Sequence, residues 1–296
     1  MFKLNKIILK IWYSCNHRCD FCHAEFNKKI TDKETLKTIK KVFHIKKNIK
    51  DINTILLSWW EPTIQNNFFK LLSIASSLWF NTGVVTNWSM LYKKDFLSKC
   101  LEHNFTNIYL SIHWWTEEVH NIMTWTNNSF YQISELLDNL NKICFKWLSI
   151  NCVVTKNNIN FLEDVLIFIK KYNFFKIKFS LLEPKWLWYE DIDKLFVSPE
   201  KVSKNIINLI KKYPDMDIWW DWLPLCLVEW YEDKMSNLQT ENIMYMSETY
   251  EDKIYNTDNW VREYSKKCEW CSIKNICYWN FTLYNELYWD QYLINS

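Results

Sequence analysis

The sequence predicts an α/β fold in which successive βα units build a parallel sheet, and two observations predict it. Between Lys6 and about Leu182, short runs rich in β-branched residues alternate with longer stretches whose apolar residues recur at helical spacing. At 296 residues and 49% hydrophobic, the chain can bury one large domain, or one domain with a smaller appendage.

Six strands are expected in order: "KIILKIWY", "NTILLS", "FNTGVVTN", "TNIYLSIH", "LSINCVVT" and "FKIKFSLL". Helical patterns lie between them at Asp32 to Phe43, Asn67 to Leu78, Lys93 to His103, Phe130 to Phe145 and Phe161 to Lys171. "TDKE" supplies a capping box for the first helix. "SPEKVSKNIINLIKKY" opens a further helix at Ser198, with Pro199 at its first position. After Tyr213 the period weakens into an irregular, cysteine-bearing stretch. The expected boundary therefore separates residues 1–212 from residues 213–296.

The composition is skewed in one respect. The chain has one Gly and 19 Trp, whereas about 7% Gly is ordinary. We read most or all of these Trp letters as glycine, produced when a UGA codon that the source reads as Gly is translated as Trp. The contexts support this. Trp79 follows "FFKLLSIASSL", where a helix normally ends in a left-handed Gly, and Trp147 stands similarly between "ELLDNLNKICFK" and "LSINCVVT". The competing reading is a chain that is truly rich in tryptophan.

Charge excludes little but favours less. The formal net charge is +2, Arg18 and Arg262 are the two arginines, and the lysines are dispersed, so no polyanion-binding surface and no nucleic-acid partner are indicated. "HIKKNIK" reads as the solvated end of the first helix. The N-terminus lacks a signal-peptide core and no window is apolar enough to span a bilayer, which points to a cytoplasmic protein with no membrane partner. Ten cysteines in that compartment point to metal ligation rather than disulfides.

"CNHRCDFC" places Cys15, Cys19 and Cys22 as Cys-x3-Cys-x2-Cys directly after the first strand. Three thiolates suit a [4Fe-4S] cluster with one iron left unligated by protein. A zinc site closed by His17 or His23 is the alternative. A second group, "CEWCSIKNIC", holds Cys268, Cys271 and Cys277, with Cys226 upstream in "LPLC". Four thiolates from two segments close either an iron-sulfur cluster or a zinc site, and spacing does not choose between them. Cys100, Cys144 and Cys152 fall within helix or strand patterns and are expected to be buried apolar residues. His113 and His120 bracket the loop after the fourth strand, where they could meet a substrate or serve as capping or solvated residues.

The three-Cys motif resembles that of the radical S-adenosylmethionine enzymes, which carry it in the loop after strand one of a partial (βα)6 barrel. The resemblance covers roughly Lys6 to Leu182. Phe21 matches the aromatic those enzymes carry near the adenine. Trp59, Trp60, Glu61 and Pro62 stand where the family has Gly-Gly-Glu-Pro, a turn at which backbone approaches the methionine amino group. "VVTNW" is similar to the strand-three "TNG" ending, "LSIHWW" to an "S-x-H-G" loop, and "LLEPKW" to "EPKG". The resemblance implies that Glu61, Asn87, Ser111 and Asn151 contact the methionine or ribose; for Asn151, ordinary strand-end capping is the competing reading. The C-terminal cysteines and the following "YWNFTLYNELYWD" are similar to SPASM/twitch extensions, with one auxiliary cluster more in keeping with their number than two.

The resemblance thus implies an enzyme that cleaves S-adenosylmethionine to a 5′-deoxyadenosyl radical, which abstracts a substrate hydrogen. It further implies a flavodoxin- or ferredoxin-type electron donor, a peptide or small-molecule substrate, and peptide or protein maturation as the leading activity. If Trp59 and Trp60 are real, their indoles obstruct the cofactor turn. The expectation is then a non-catalytic iron-sulfur or zinc-binding scaffold on the same fold.

Overall fold

The computed structural model describes residues 5–11, 14–22, 32–113, 128–174, 176–183, 192–235, 243–246, 254–255, 262–277 and 280–288. Its sheet has the order β7-β6-β5-β4-β3-β2-β1-β8-β9. The strands are β1 (Asn5–Lys10), β2 (Ile52–Ser58), β3 (Asn81–Thr86), β4 (Phe105–Ser111), β5 (Leu148–Val154), β6 (Lys176–Leu181), β7 (Asp217–Asp221), β8 (Ile243–Met246) and β9 (Ile254–Tyr255). β1 to β8 pair in parallel and β9 pairs antiparallel to β8, so eight parallel strands form an open half-barrel. A separate small hairpin joins β10 (Arg262–Glu263) to β11 (Asn280–Phe281).

All six strands expected from the sequence form. β7 and β8 were not expected, although both extend the same sheet from beyond residue 213. β7 reads "DIWWD" and β8 only "IMYM", too short and too irregular in alternation to signal a strand.

The helices are α1 (Asp32–Asn48), α2 (Phe68–Ser77), α3 (Lys94–Leu101), α4 (Ser129–Lys142), α5 (Leu162–Lys171), α6 (Ile192–Leu195), α7 (Pro199–Lys212) and α8 (Thr282–Tyr288). α1 to α5 and α7 pack their buried residues against the sheet. Ile7, Leu9, Ile55, Leu57, Ile108, Ile150 and Ile177 join Val42, Leu71, Leu136 and Val165 in one buried core. Along β5, buried Leu148, Ile150, Cys152 and Val154 alternate with half-buried Ser149, Asn151 and Val153, which point to the opposite face of the sheet. Gly83 in β3 has no room for a side chain, because a Cβ there would lie 2.3 Å from the Asn107 carbonyl oxygen and 2.7 Å from Leu56 Cδ2.

Helix ends follow known rules with unusual residues. α7 is capped by Ser198, whose Oγ accepts from Lys201 N at 3.3 Å, with Pro199 next, as expected. Thr31 of the expected capping box lies outside the described residues. α2, α4 and α5 each end in the same doubly bonded C-terminal turn, in which a left-handed residue is followed by an N–H that reaches back to the last full turn. At α2, Trp79 (φ 68°) donates to Ser76 O and Phe80 to Ala75 O. At α4, Cys144 (φ 51°) takes that position, and at α5 Asn173 (φ 62°) does. Trp79 thus sits where expected, but the left-handed residue after α4 is Cys144 and not Trp147, because the helix stops at Lys142. Cys144 is consequently exposed rather than buried, while Cys100 and Cys152 lie in the core.

Candidate functional site

Parallel strands direct their C-terminal ends the same way, so the loops after β1, β2 and β3 meet at one rim. There the backbone N–H of Glu61 donates to Ser14 O at 3.1 Å, tying the loop after β2 to the loop that carries the cysteines. The Glu61 carboxylate is fully buried. Its Oε1 accepts from Thr63 N at 3.1 Å, from the Thr63 hydroxyl, and from Thr86 Oγ1 at 2.7 Å, and its Oε2 accepts from Asn87 N at 2.6 Å. Four donors on one carboxylate join the ends of β2 and β3. Asn87 then reaches the first loop, where its Nδ2 donates to Asn16 Oδ1 at 2.9 Å and to Cys15 Sγ at 3.6 Å. Its Oδ1 accepts from Ser89 N at 3.1 Å.

The three thiols share this loop. Cys22 N donates to Cys19 O at 2.9 Å, and His17 N donates to Cys15 Sγ at 3.4 Å. Burial pushes the Cys15 thiol up to about 12, with added push from the charges of Glu61 and Cys22 and opposing pull from hydrogen bonds of His17 and Asn87. Cys19 is pushed well above its ordinary value by burial, then by Cys22, Cys15 and Asp20. These thiols are close enough to repel as thiolates, and a bound cationic metal centre removes that repulsion, since a coordinating thiol is deprotonated outright. The donor set therefore fits an iron-sulfur cluster. Among the described residues, no group of three or more His, Cys, Asp or Glu side chains is closed about a single metal position.

Burial also holds His17 neutral, lowering it to about 4, and its Nδ1 is buried without a hydrogen-bond partner. His23 lies outside the described residues. Phe21 meets the His113 ring edge-on, with centroids 4.3 Å apart, and packs on Leu182 and Leu195. His113 is buried rather than solvated. Its Nδ1 accepts from Val153 N at 3.1 Å, which leaves the proton on Nε2, and burial together with the His17 charge lowers it to about 3. His120 lies outside the described residues. Ser111, the last residue of β4, and Asn151, in the middle of β5, are register partners, both half-buried, and Asn151 Oδ1 accepts from Ser180 Oγ at 2.8 Å.

Trp59 (φ 89°) and Trp60 (φ 55°) form the turn between Ser58 and Glu61 in left-handed backbone, with ring centroids 6.1 Å apart and Lys10 Nζ 3.8 Å from the Trp59 ring centre. The sequence reading missed Thr63, Thr86 and Asn16. Threonines flanking both "EPT" and "VTN" were the available signal.

The C-terminal cysteines gather from two segments in part. Leu225 N donates to Cys277 Sγ at 3.3 Å, so Cys277 lies beside the turn bearing Cys226, and Cys271 N donates to Cys268 O at 3.3 Å. α8 holds this region against the rim through the buried Tyr284, whose hydroxyl donates to Leu182 O.

A family model described as the Radical SAM superfamily matches residues 9–180. A sequence relative, the S-adenosylmethionine-dependent nucleotide dehydratase of Flammeovirga pacifica, is 28% identical over 211 residues, covering 66% of this chain and 69% of that protein. Streptococcus suis SuiB bound to S-adenosylmethionine superposes with a TM-score of 0.67 at 13% identity, covering 93% of this chain and 72% of that one. Native anSMEcpe with bound AdoMet gives a TM-score of 0.57 at 19% identity, covering 71% of this chain and 60% of that one.

Proposed function

Because this chain belongs to the Radical SAM superfamily, we propose that it is an S-adenosylmethionine-cleaving enzyme whose Cys15, Cys19 and Cys22 hold a [4Fe-4S] cluster. The observation that carries this is the joining of three strand-end loops, by Glu61 and Asn87, around Cys15. The cluster, when bound, supplies the electron that cleaves S-adenosylmethionine to methionine and a 5′-deoxyadenosyl radical. The chain's own residues orient and enclose. Phe21 offers an apolar wall backed by His113, while Ser111 at the end of β4 and its register partner Asn151 within β5 offer polar groups. A flavodoxin- or ferredoxin-type donor would supply the electron, and an oxidation-sensitive centre with ten cysteines, none in a disulfide, suits the cytoplasm.

Residues 213–296 are proposed as a SPASM/twitch-like region in which Cys226, Cys268, Cys271 and Cys277 hold one auxiliary cluster, supported by the Leu225 to Cys277 contact. Peptide or protein modification is the leading reaction class, supported by the fold shared with SuiB, a structure of which is bound to the precursor peptide SuiA. Nucleotide chemistry is the second reading, favoured by the dehydratase relative. Anaerobic reconstitution should give 5′-deoxyadenosine from S-adenosylmethionine on reduction, and Ala at Cys15, Cys19 and Cys22 together should abolish it. Cleavage persisting in the triple variant sinks the assignment. Deuterium transfer into 5′-deoxyadenosine from a deuterated peptide or nucleotide separates the two substrate readings.

We also infer that Trp59, Trp60, Trp79, Trp88, Trp222 and Trp230 are glycine in the native protein. Among the described residues, eleven that are not glycine have left-handed backbone; four are Asn or Asp, which tolerate it, one is Cys144, and the other six are these tryptophans. Left-handed backbone costs a bulky residue about 1–2 kcal/mol, so six are roughly comparable to the net stability of a domain. The buried indole nitrogens of Trp219 and Trp220 lack hydrogen-bond partners, which supports extending the inference to them. The tryptic peptide "DINTILLSWWEPTIQNNFFK" from native-host protein should be lighter by two tryptophan-to-glycine differences. Two intact tryptophans would fill the cofactor turn and leave the non-catalytic metal-binding scaffold.

A further inference from the structure

We propose that Asn87 is a hydrogen-bond donor to the sulfur of Cys15 that raises the reduction potential of the cluster, and that Glu61 is the positioning residue that aims it. The proposal rests on the assignment of Cys15 as a cluster ligand. Asn87 has two amide protons and two acceptors, Asn16 Oδ1 at 2.9 Å and Cys15 Sγ at 3.6 Å, so its amide is fixed in rotation. Its carbonyl oxygen is held by Ser89 N at 3.1 Å, which removes the flipped amide as an alternative. The residue is nearly excluded from solvent, so water does not replace the donor when it is removed.

Glu61 completes the device. It accepts Asn87 N at 2.6 Å, and its other oxygen is fixed by Thr63 and Thr86, so Asn87 is anchored by its backbone next to the side chain that reaches sulfur. Donors aimed at a ligating sulfur stabilise the more negative, reduced cluster and make reduction easier. In this arrangement the Glu61 carboxylate and the Asn87 amide both act on the cysteine loop.

The test uses the full chain reconstituted anaerobically, with iron and sulfide content, the electron paramagnetic resonance of the reduced cluster, and its midpoint potential measured for each variant. Asn87→Ala should retain the cluster while its midpoint shifts to more negative potential and its resonance changes. Asn87→Ser is too short to reach Cys15 but can still accept from Ser89 N; it should shift in the same direction and serves if the alanine variant loses its cluster. Glu61→Gln removes the charge and replaces one of the two acceptor oxygens by an NH2 donor, which breaks the full set of bonds from Thr63, Thr86 and Asn87 N, so it is read as a cycle with Asn87→Ala. The effect of Asn87→Ala should shrink in the Glu61→Gln background. Unchanged potential and resonance in a fully loaded Asn87 variant overturn the role of Asn87, and full additivity overturns that of Glu61. Wild-type chain that takes up no iron-sulfur centre sinks the underlying assignment of Cys15 as a cluster ligand instead, which keeps the two failures distinct.

Discussion

The backbone N–H of Leu225 donates to Cys277 Sγ at 3.3 Å although the residues are 52 apart in sequence. An amide aimed at sulfur is common where that sulfur carries negative charge, as a metal-bound thiolate does. Replacing Cys226, Cys268, Cys271 and Cys277 by Ala should therefore lower the iron content of anaerobically purified protein and leave the spectrum of the three-cysteine cluster. Unchanged iron, or zinc bound in its place, counts against a second cluster.

Tyr284 anchors this region, since its fully buried ring packs on Phe196 and Phe281 and its hydroxyl donates to the Leu182 carbonyl at the end of β6. Tyr284→Phe keeps the packing and orphans the carbonyl. The expected loss of stability is about 1–3 kcal/mol, read as a lower midpoint in urea. An unchanged midpoint would mean that the hydroxyl contributes nothing to docking.

Much of this was legible beforehand and some was not. β1 to β6 showed because each carries a β-branched run long enough to display a pattern, and the cysteine motif showed because spacing alone encodes it. β7 and β8 did not show, because two tryptophan letters interrupt one and the other has four residues. The inward turn of Glu61 and Asn87 was hidden for a different reason. A motif names the residue types at a rim, but the bonds that the Glu61 carboxylate accepts from Thr63, Thr86 and Asn87 depend on three loops meeting, which local sequence does not specify.

His113 gives a pH dependence. Burial lowers it to about 3 from the 6.5 it has when unfolded, so between those values the unfolded chain binds a proton that the folded chain does not. Stability from this group is complete above pH 6.5 and is lost as the pH falls toward 3. His113→Gln keeps an acceptor for Val153 N and removes the titration. The urea stability of metal-free, reduced protein should then fall less steeply below pH 6.5, by up to about 1.4 kcal/mol per pH unit. Parallel profiles for the two proteins would show that His113 takes up its proton in the fold.

Trp79 separates backbone strain from packing, because it is 86% exposed and yet left-handed at φ 68°. Its side chain has little to lose on removal, while its backbone occupies the position after α2 that glycine fills without penalty. In a chain carrying tryptophan there, Trp79→Gly should raise stability by about 1 kcal/mol. Asn173→Gly, at the equivalent position after α5, should change it far less, since Asn tolerates this backbone. The comparison isolates the residue from the turn, because both helices end with the same pair of hydrogen bonds. Equal effects at the two positions would mean that the indole is no worse than an amide in that conformation, and the case for glycine would then rest on composition alone.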